Sequence, residues 1–157
     1  MKYVVLALLA LAVFFYSKHS SKKRTEAAAE NLAQGQTFLI QNKDAEGVIE
    51  TDSGLQYQIL EQGTGSEHPT ASSNVMVHYH GTLLDGTVFD SSVERDKAIS
   101  FGLNQVIKGW TEGVQLMVVG DKFKFFIPKE LGYGDRAAGK IEPGSLLIFE
   151  VTLLEIK

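Results

Sequence analysis

Val106-Ile107-Lys108-Gly109-Trp110-Thr111-Glu112-Gly113-Val114-Gln115-Leu116-Met117 is the one short helical signal in a stretch that otherwise reads as strands and turns, and the chain after residue 50 is organised around it. Ile107, Trp110, Val114, Met117 and Val118 recur at intervals of three and four, which puts one stripe inward and leaves Lys108, Thr111, Glu112 and Gln115 to water. Gly109 and Gly113 weaken the helix, because glycine inside a helix costs roughly 1 kcal/mol against alanine. The helix therefore needs a sheet around it. The same glycines admit a close neighbouring backbone, so the Trp110 indole can lie at the bottom of a cavity.

On both sides of this helix the period is two. Leu55, Tyr57 and Ile59 share a face opposite Gln56 and Gln58, and Val75, Val77 and Tyr79 share a face in the run Val75 to Leu83. Asp85-Gly86 is a hairpin turn leading to Val88-Phe89. Residues 90–97 are a polar excursion before a short strand from Ile99 to Gly102. After the helix, Phe123, Phe125 and Ile127 alternate with Lys122, Lys124 and Phe126, and a glycine-rich loop from Leu131 leads to a last strand, Leu146 to Ile156. The expected fold class is α+β, a curved antiparallel sheet or half-barrel wrapping one short α-helix.

Ahead of this domain, Met1-Lys2 and the apolar run Tyr3 to Tyr16 precede a basic cluster ending in Lys22-Lys23-Arg24. Fourteen apolar residues fall short of the about 20 that span a bilayer and within the roughly 7 to 15 of a signal-peptide core. With no small-x-small cleavage site after Phe14-Phe15-Tyr16, residues 1–24 read as an uncleaved signal anchor in preference to a removed signal peptide. The basic flank argues for a cytoplasmic side by the positive-inside rule, whereas the leading Lys2 and apolar core are how export signals begin. We expect a single-pass anchor in a bacterial inner membrane with the domain on the periplasmic side, the cytoplasmic side staying open. Thr25 to Asn42 is an alanine-rich helix on which Ala28, Leu32, Gly35 and Leu39 trace a thin stripe, the mark of a solvated spacer or stalk, or of a small homodimerisation element. Lys43 to Ser53 reads as a linker. The resulting division is 1–24 anchor, 25–46 stalk and 47–157 folded domain.

Composition excludes several classes of chemistry. The chain has no cysteine, hence no disulfide, thiolate metal site or thiol nucleophile, and its net charge of −4 with interspersed signs argues against a nucleic-acid surface. No nucleophile elbow, phosphate loop or dinucleotide fingerprint is present. His78 and His80 share a face at i and i+2, half of a metal site with no third ligand nearby, so no metal is assigned. Asp90 with Ser91-Ser92 could cap a turn, and Arg95 could pair with Asp90. Tyr133 stands between Gly132 and Gly134, where an aromatic has little to pack on unless it lines a pocket.

Five co-linear motifs then become legible together: Val77-His78-Tyr79-His80-Gly81, Asp85-Gly86-Thr87-Val88-Phe89-Asp90-Ser91-Ser92, Gln105-Val106-Ile107-Lys108-Gly109-Trp110, Leu131-Gly132-Tyr133-Gly134 and Leu147-Ile148-Phe149-Glu150-Val151. Over residues 47–157 the chain resembles the FKBP-type peptidyl-prolyl cis-trans isomerases, and Ser53-Gly54-Leu55-Gln56-Tyr57 and Trp110-Thr111-Glu112 look most like the bacterial macrophage-infectivity-potentiator branch. The resemblance implies a pocket with Trp110 as floor, walled by Tyr79, Phe89, Val106, Ile107 and Phe149, with Ile99, Phe101 and Ile141 completing the substrate surface. It further implies that Asp90 and the Tyr133 hydroxyl supply polar edges, that the Ile107 N–H donates to a peptide carbonyl, and that Arg95 holds Asp90 and Tyr79. Ile99 stands where relatives often carry an aromatic or a small residue, and Gly132 replaces a usual alanine. The implied activity is X-Pro isomerisation in proline-containing unfolded or partly folded proteins, without cofactor, with the family's macrolide inhibitors as further ligands. The competing expectation is a membrane-tethered peptide-binding module or holdase chaperone that uses the same pocket with little catalysis.

Overall fold

The structure is a computed structural model describing residues 2–157, with side chains at position 13 and from 16 onward. Its first helix, α1, runs Lys2–Asn42. Seven strands follow, β1 (Val48–Glu50), β2 (Gln56–Glu61), β3 (Asn74–Thr82), β4 (Val88–Ser91), β5 (Ile99–Gly102), β6 (Lys122–Ile127) and β7 (Leu147–Ile156), with a helix α2 (Lys108–Val114) between β5 and β6. All pairings are antiparallel, in the order β1-β2-β6-β7-β3-β4. β4 and β5 share the flank of β3, β4 beside His80 to Thr82 and β5 beside Asn74 to Val77. The polar excursion lies between them.

The inner face of the sheet is built by alternation. Val75, Val77 and Tyr79 on β3, Phe123, Phe125 and Ile127 on β6, and Leu147, Phe149, Val151 and Leu153 on β7 are buried and pack around Trp110, Val114 and Met117. The helix is shorter than the apolar spacing predicts, because Met117 and Val118 fall in the turn after Val114, yet Met117 is fully buried. Gly109 and Gly113 admit side chains of β6 in place of a neighbouring backbone. A Cβ on Gly109 would lie 2.7 Å from Ile127 Cγ2, and one on Gly113 2.6 Å from Phe125 Cε1. Thr111 Oγ1 donates to the Leu103 carbonyl at 2.5 Å, and Glu112 accepts from Thr51 Oγ1 and Ser53 Oγ, which fastens the helix to the loop before β2.

Two expectations for the amino-terminal region change. Within Lys43–Ser53, read above as a linker, Val48–Glu50 forms β1 and extends the sheet beside β2. The stripe on α1 is also no solvated face at its carboxy-terminal end. Gly35 is buried against Leu146, Phe38 packs on Phe126 at 5.6 Å between ring centroids, and Asn31 Nδ2 donates to the Pro143 carbonyl at 2.9 Å. Gln56, expected on the exposed side of its strand, is fully buried beneath this helix: its Nε2 donates to the Leu39 carbonyl and Glu50, and its Oε1 accepts from Asn42. Satisfying every polar atom of the amide is what makes such burial tolerable. Ile59, expected on the buried face, is 40% exposed toward the end of β2.

The anchor expectation rests on side chains 1–12, 14 and 15, which lie outside the described residues. Among the described residues no helix is long and apolar enough to cross a membrane.

Candidate active site

A cavity of about 950 Å³ opens at the end of the sheet above α2. Its floor is Trp110, one turn into the helix and 5% exposed. Rings from four different strands stand around it: Tyr79 of β3, Phe89 of β4, Phe101 of β5 and Phe149 of β7. They meet edge to face, with Trp110 to Phe149 at 5.1 Å, Tyr79 to Trp110 at 5.3 Å and Phe89 to Phe149 at 5.2 Å, and interplanar angles of 81° to 86°. That geometry sets the positive edge of one ring against the negative face of the next. Ile99, Val106, Ile107 and Ile141 complete the apolar wall.

The lip is polar at two places. At the first, Tyr79 Oη donates to Asp90 Oδ2 at 2.5 Å, the Arg95 guanidinium pairs with the other carboxylate oxygen, and Arg95 Nη2 donates to Tyr79 Oη at 3.0 Å. Partial burial pushes the Asp90 carboxyl upward, but the Tyr79 hydroxyl and the Arg95 guanidinium outweigh it, and the group sits below the ordinary aspartate range. Burial and the adjacent carboxylate push the Tyr79 phenol up, against Arg95. Behind this triad the fully buried Ser92 hydroxyl accepts from the Tyr79 N–H at 2.7 Å, and its own N–H donates to the Tyr79 carbonyl at 2.9 Å. This explains why the excursion after β4 returns to β3.

At the second, the chain enters α2. The Ile107 carbonyl accepts from Trp110 and Thr111, whereas the Ile107 N–H has no acceptor among the described residues, and Ile107 is one of the residues that line the cavity. The Trp110 Nε1–H is likewise a buried donor with no partner among the described residues. Tyr133, 36% exposed, lines the cavity from the loop after β6, and its hydroxyl has no partner among the described residues.

Asp90, Tyr133, Ile107, Tyr79, Phe89, Ile99, Phe101, Val106, Trp110, Ile141 and Phe149 therefore surround one cavity, and Arg95 stands behind its edge, bonded to two of them. Sequence reasoning missed the charged and polar rim, Gln105, Lys108, Lys129, Glu130, Asp135 and Arg136. Their signal was position alone: Gln105 and Lys108 lie inside one motif quoted above, and the other four flank Leu131-Gly132-Tyr133-Gly134. His78 and His80 point away from the cavity, each with Nδ1 on a serine hydroxyl, Ser92 and Ser91, at 2.9 Å. Among the described residues no cluster of three metal-ligating side chains occurs.

Comparison with known proteins agrees with this geometry. The family described as FKBP-type peptidyl-prolyl cis-trans isomerase matches residues 65–154, and the one described as the domain amino terminal to FKBP-type peptidyl-prolyl isomerase matches residues 8–59. The chain is 54% identical to the FKBP-type peptidyl-prolyl cis-trans isomerase FkpA of Aeromonas hydrophila over 86% of its own length and 50% of that protein. It is 45% identical to the outer membrane protein MIP of Legionella longbeachae over 87% of its length and 59% of that one. The crystal structure of FkpA from Escherichia coli superposes with a TM-score of 0.90 at 40% identity, covering 98% of this chain and 71% of the other. The chain thus spans between half and two thirds of the length of these two curated relatives.

Proposed function

The chain belongs to the FKBP-type peptidyl-prolyl cis-trans isomerase family, and from that premise we propose that it catalyses rotation about X-Pro amide bonds in protein chains and so assists their folding. The observation that carries the reading is the convergence of five rings from five elements on one hollow, one of whose lining residues, Ile107, has an unused N–H.

Rotation about a prolyl amide faces a barrier of roughly 18 to 20 kcal/mol, because resonance stabilises the planar form. At the twisted transition state that resonance is lost and the charge separation across the amide falls. A hollow floored by Trp110 and walled by Tyr79, Phe89 and Phe149 excludes water, and so disfavours the polar planar form relative to the twisted one. In this proposal the Ile107 N–H accepts no share in bond making; it donates to one carbonyl of the substrate and holds that side still while the prolyl side turns. Asp90, kept ionised by Arg95 and Tyr79, and the Tyr133 hydroxyl border the carbonyl whose polarity changes. No nucleophile or proton shuttle is required.

We place residues 47–157 as the isomerase domain, 25–46 as its stalk and 1–24 as an anchor that leaves the domain on the periplasmic face of a bacterial inner membrane. A topology reporter fused after Lys157 checks the side. Proline-containing unfolded proteins are the substrates in this reading, macrolide inhibitors of the family are ligands of the same hollow, and a homodimer through α1 is tested by sedimentation of the full chain.

The decisive experiment compares isomerisation of a prolyl tetrapeptide and proline-limited refolding of a denatured protein. Wild type accelerates both, and Asp90→Ala lowers kcat/KM by at least about tenfold, equivalent to about 1.4 kcal/mol of transition-state stabilisation. Equal rates for both proteins, neither above background, would leave a peptide-binding holdase in its place.

A further inference from the structure

A second hollow, of about 830 Å³, lies between α1 and the loop after β6. Ser17, Ser20, Ser21 and Thr25 line its helical wall, and Lys129, Asp135 and Pro143 stand opposite. Lys129 and Asp135 also line the aromatic cavity, so their ion pair, Nζ to Oδ1 at 2.8 Å, is the sill between the two spaces. The groove ends where α1 is clamped to the domain: Asn31 donates to the Pro143 carbonyl, and Gly144 lies against the Ala28 carbonyl. Ahead of the clamp, residues 17–26 are exposed.

We infer that this groove is an extended binding site for the polypeptide segment that flanks the X-Pro bond, entered over the Lys129–Asp135 sill. The inference rests on the isomerase reading, since it is the seated proline that delivers a flanking chain to the sill. A proline held in the aromatic cavity has chain on both sides, and one side leaves past Lys129 and Asp135. The groove runs from Tyr16 to Leu32 along the helix, a rise of about 24 Å at ~1.5 Å per residue step. That length accommodates about seven residues of extended chain at ~3.3 Å each. An extended chain presents an N–H and a carbonyl at every residue, and hydroxyls answer both because each donates and accepts. Thr25, whose own hydroxyl donates to the Ser21 carbonyl at 3.0 Å, keeps its lone pairs for a peptide N–H. The charges in the lining nearly cancel: Lys129 is neutralised by Asp135, leaving Arg24. Such a surface selects main chain in preference to a particular sequence or an anion, which suits unfolded protein as substrate.

The test uses the full chain with a prolyl tetrapeptide and with peptides extended by seven residues on either flank. In wild type, extension on one flank lowers KM by about tenfold. Ser21→Trp and Thr25→Trp, which fill the groove, erase that gain and leave tetrapeptide kcat/KM within about twofold, while Glu26→Trp, outside the lining, keeps it. No gain from extension on either flank, or a gain that survives both groove variants, overturns the inference. If no peptide is isomerised, the isomerase reading falls by itself. Fluorescence anisotropy then still decides the groove: extended-peptide affinity weakened by Ser21→Trp upholds it, and unchanged affinity overturns it.

Discussion

The two faces of one sheet behave differently. The inner face carries Tyr79, Phe125, Phe149 and Val151 against α2 and opens into the aromatic cavity. The outer face carries His80, Glu150 and Lys124 side by side across β3, β7 and β6, a row of mixed charge facing water. Such opposite-sign cross-strand neighbours suit a solvated face. At one end of that outer face, however, the polar pattern stops: Phe126 and Gln56 are buried, and α1 lies over them. An antiparallel strand with one wet side must alternate, so a break in alternation marks where another element is seated. Phe126, following Lys122 and Lys124 on the same face, is that break.

The strongest way to test the contrast is to remove the inner face's central ring. Trp110→Ala deletes the floor that Tyr79, Phe101 and Phe149 pack on, and should cost about 3 to 5 kcal/mol of stability together with nearly all isomerase activity. Denaturant unfolding and the tetrapeptide assay measure both. A stable, active Trp110→Ala protein would show that the rings are only a core and that the hollow is not the site.

A smaller effect of the opposite kind is expected where α1 is seated. Gly144 has a φ of +77°, and a Cβ there would lie 2.4 Å from the Ala28 carbonyl oxygen. Gly144→Ala should therefore destabilise by about 1 to 3 kcal/mol. The loss should fall on the helix: hydrogen exchange at residues 28–35 accelerates while tetrapeptide isomerisation holds. If exchange is unchanged and activity falls, the loop before β7 serves the cavity and not the clamp.

The inner face was legible in the sequence because alternation and a three-to-four stripe are local signals. Ile99–Gly102 appears as a strand with the expected bounds, and Asp85-Gly86 makes its turn, with Leu83 N–H on the Thr87 carbonyl at 2.9 Å. The ring positions followed from motifs, each short and each near a turn. The outer face was not legible, because its burial depends on a separate helix: Phe38 covers Phe126 from far along the chain, and nothing in the strand around Gln56 says that Leu39 and Asn42, on that helix, will satisfy its amide. β1, three residues long, exists only as an addition to β2. Lys129 and Asp135 read as loop charges, and their shared place between two hollows is a property of the fold.

The smallest effect concerns acid. Asp90 is held below the ordinary aspartate range, so its bonds to Tyr79 and Arg95 stabilise the folded protein at every pH above that of a free aspartate, and that contribution is lost as pH falls through the lowered folded value. Activity that depends on this carboxylate should then be level from about pH 8 to 5 and decline only below about pH 4, the free aspartate range. Tyr79, shifted upward, stays protonated and keeps donating throughout that window. A pH profile of kcat/KM measured alongside thermal unfolding separates loss of the site from loss of the fold. A fall between pH 7 and 6 with the fold intact would show that a group other than Asp90 governs the activity, because a carboxylate held below the aspartate range is fully ionised there.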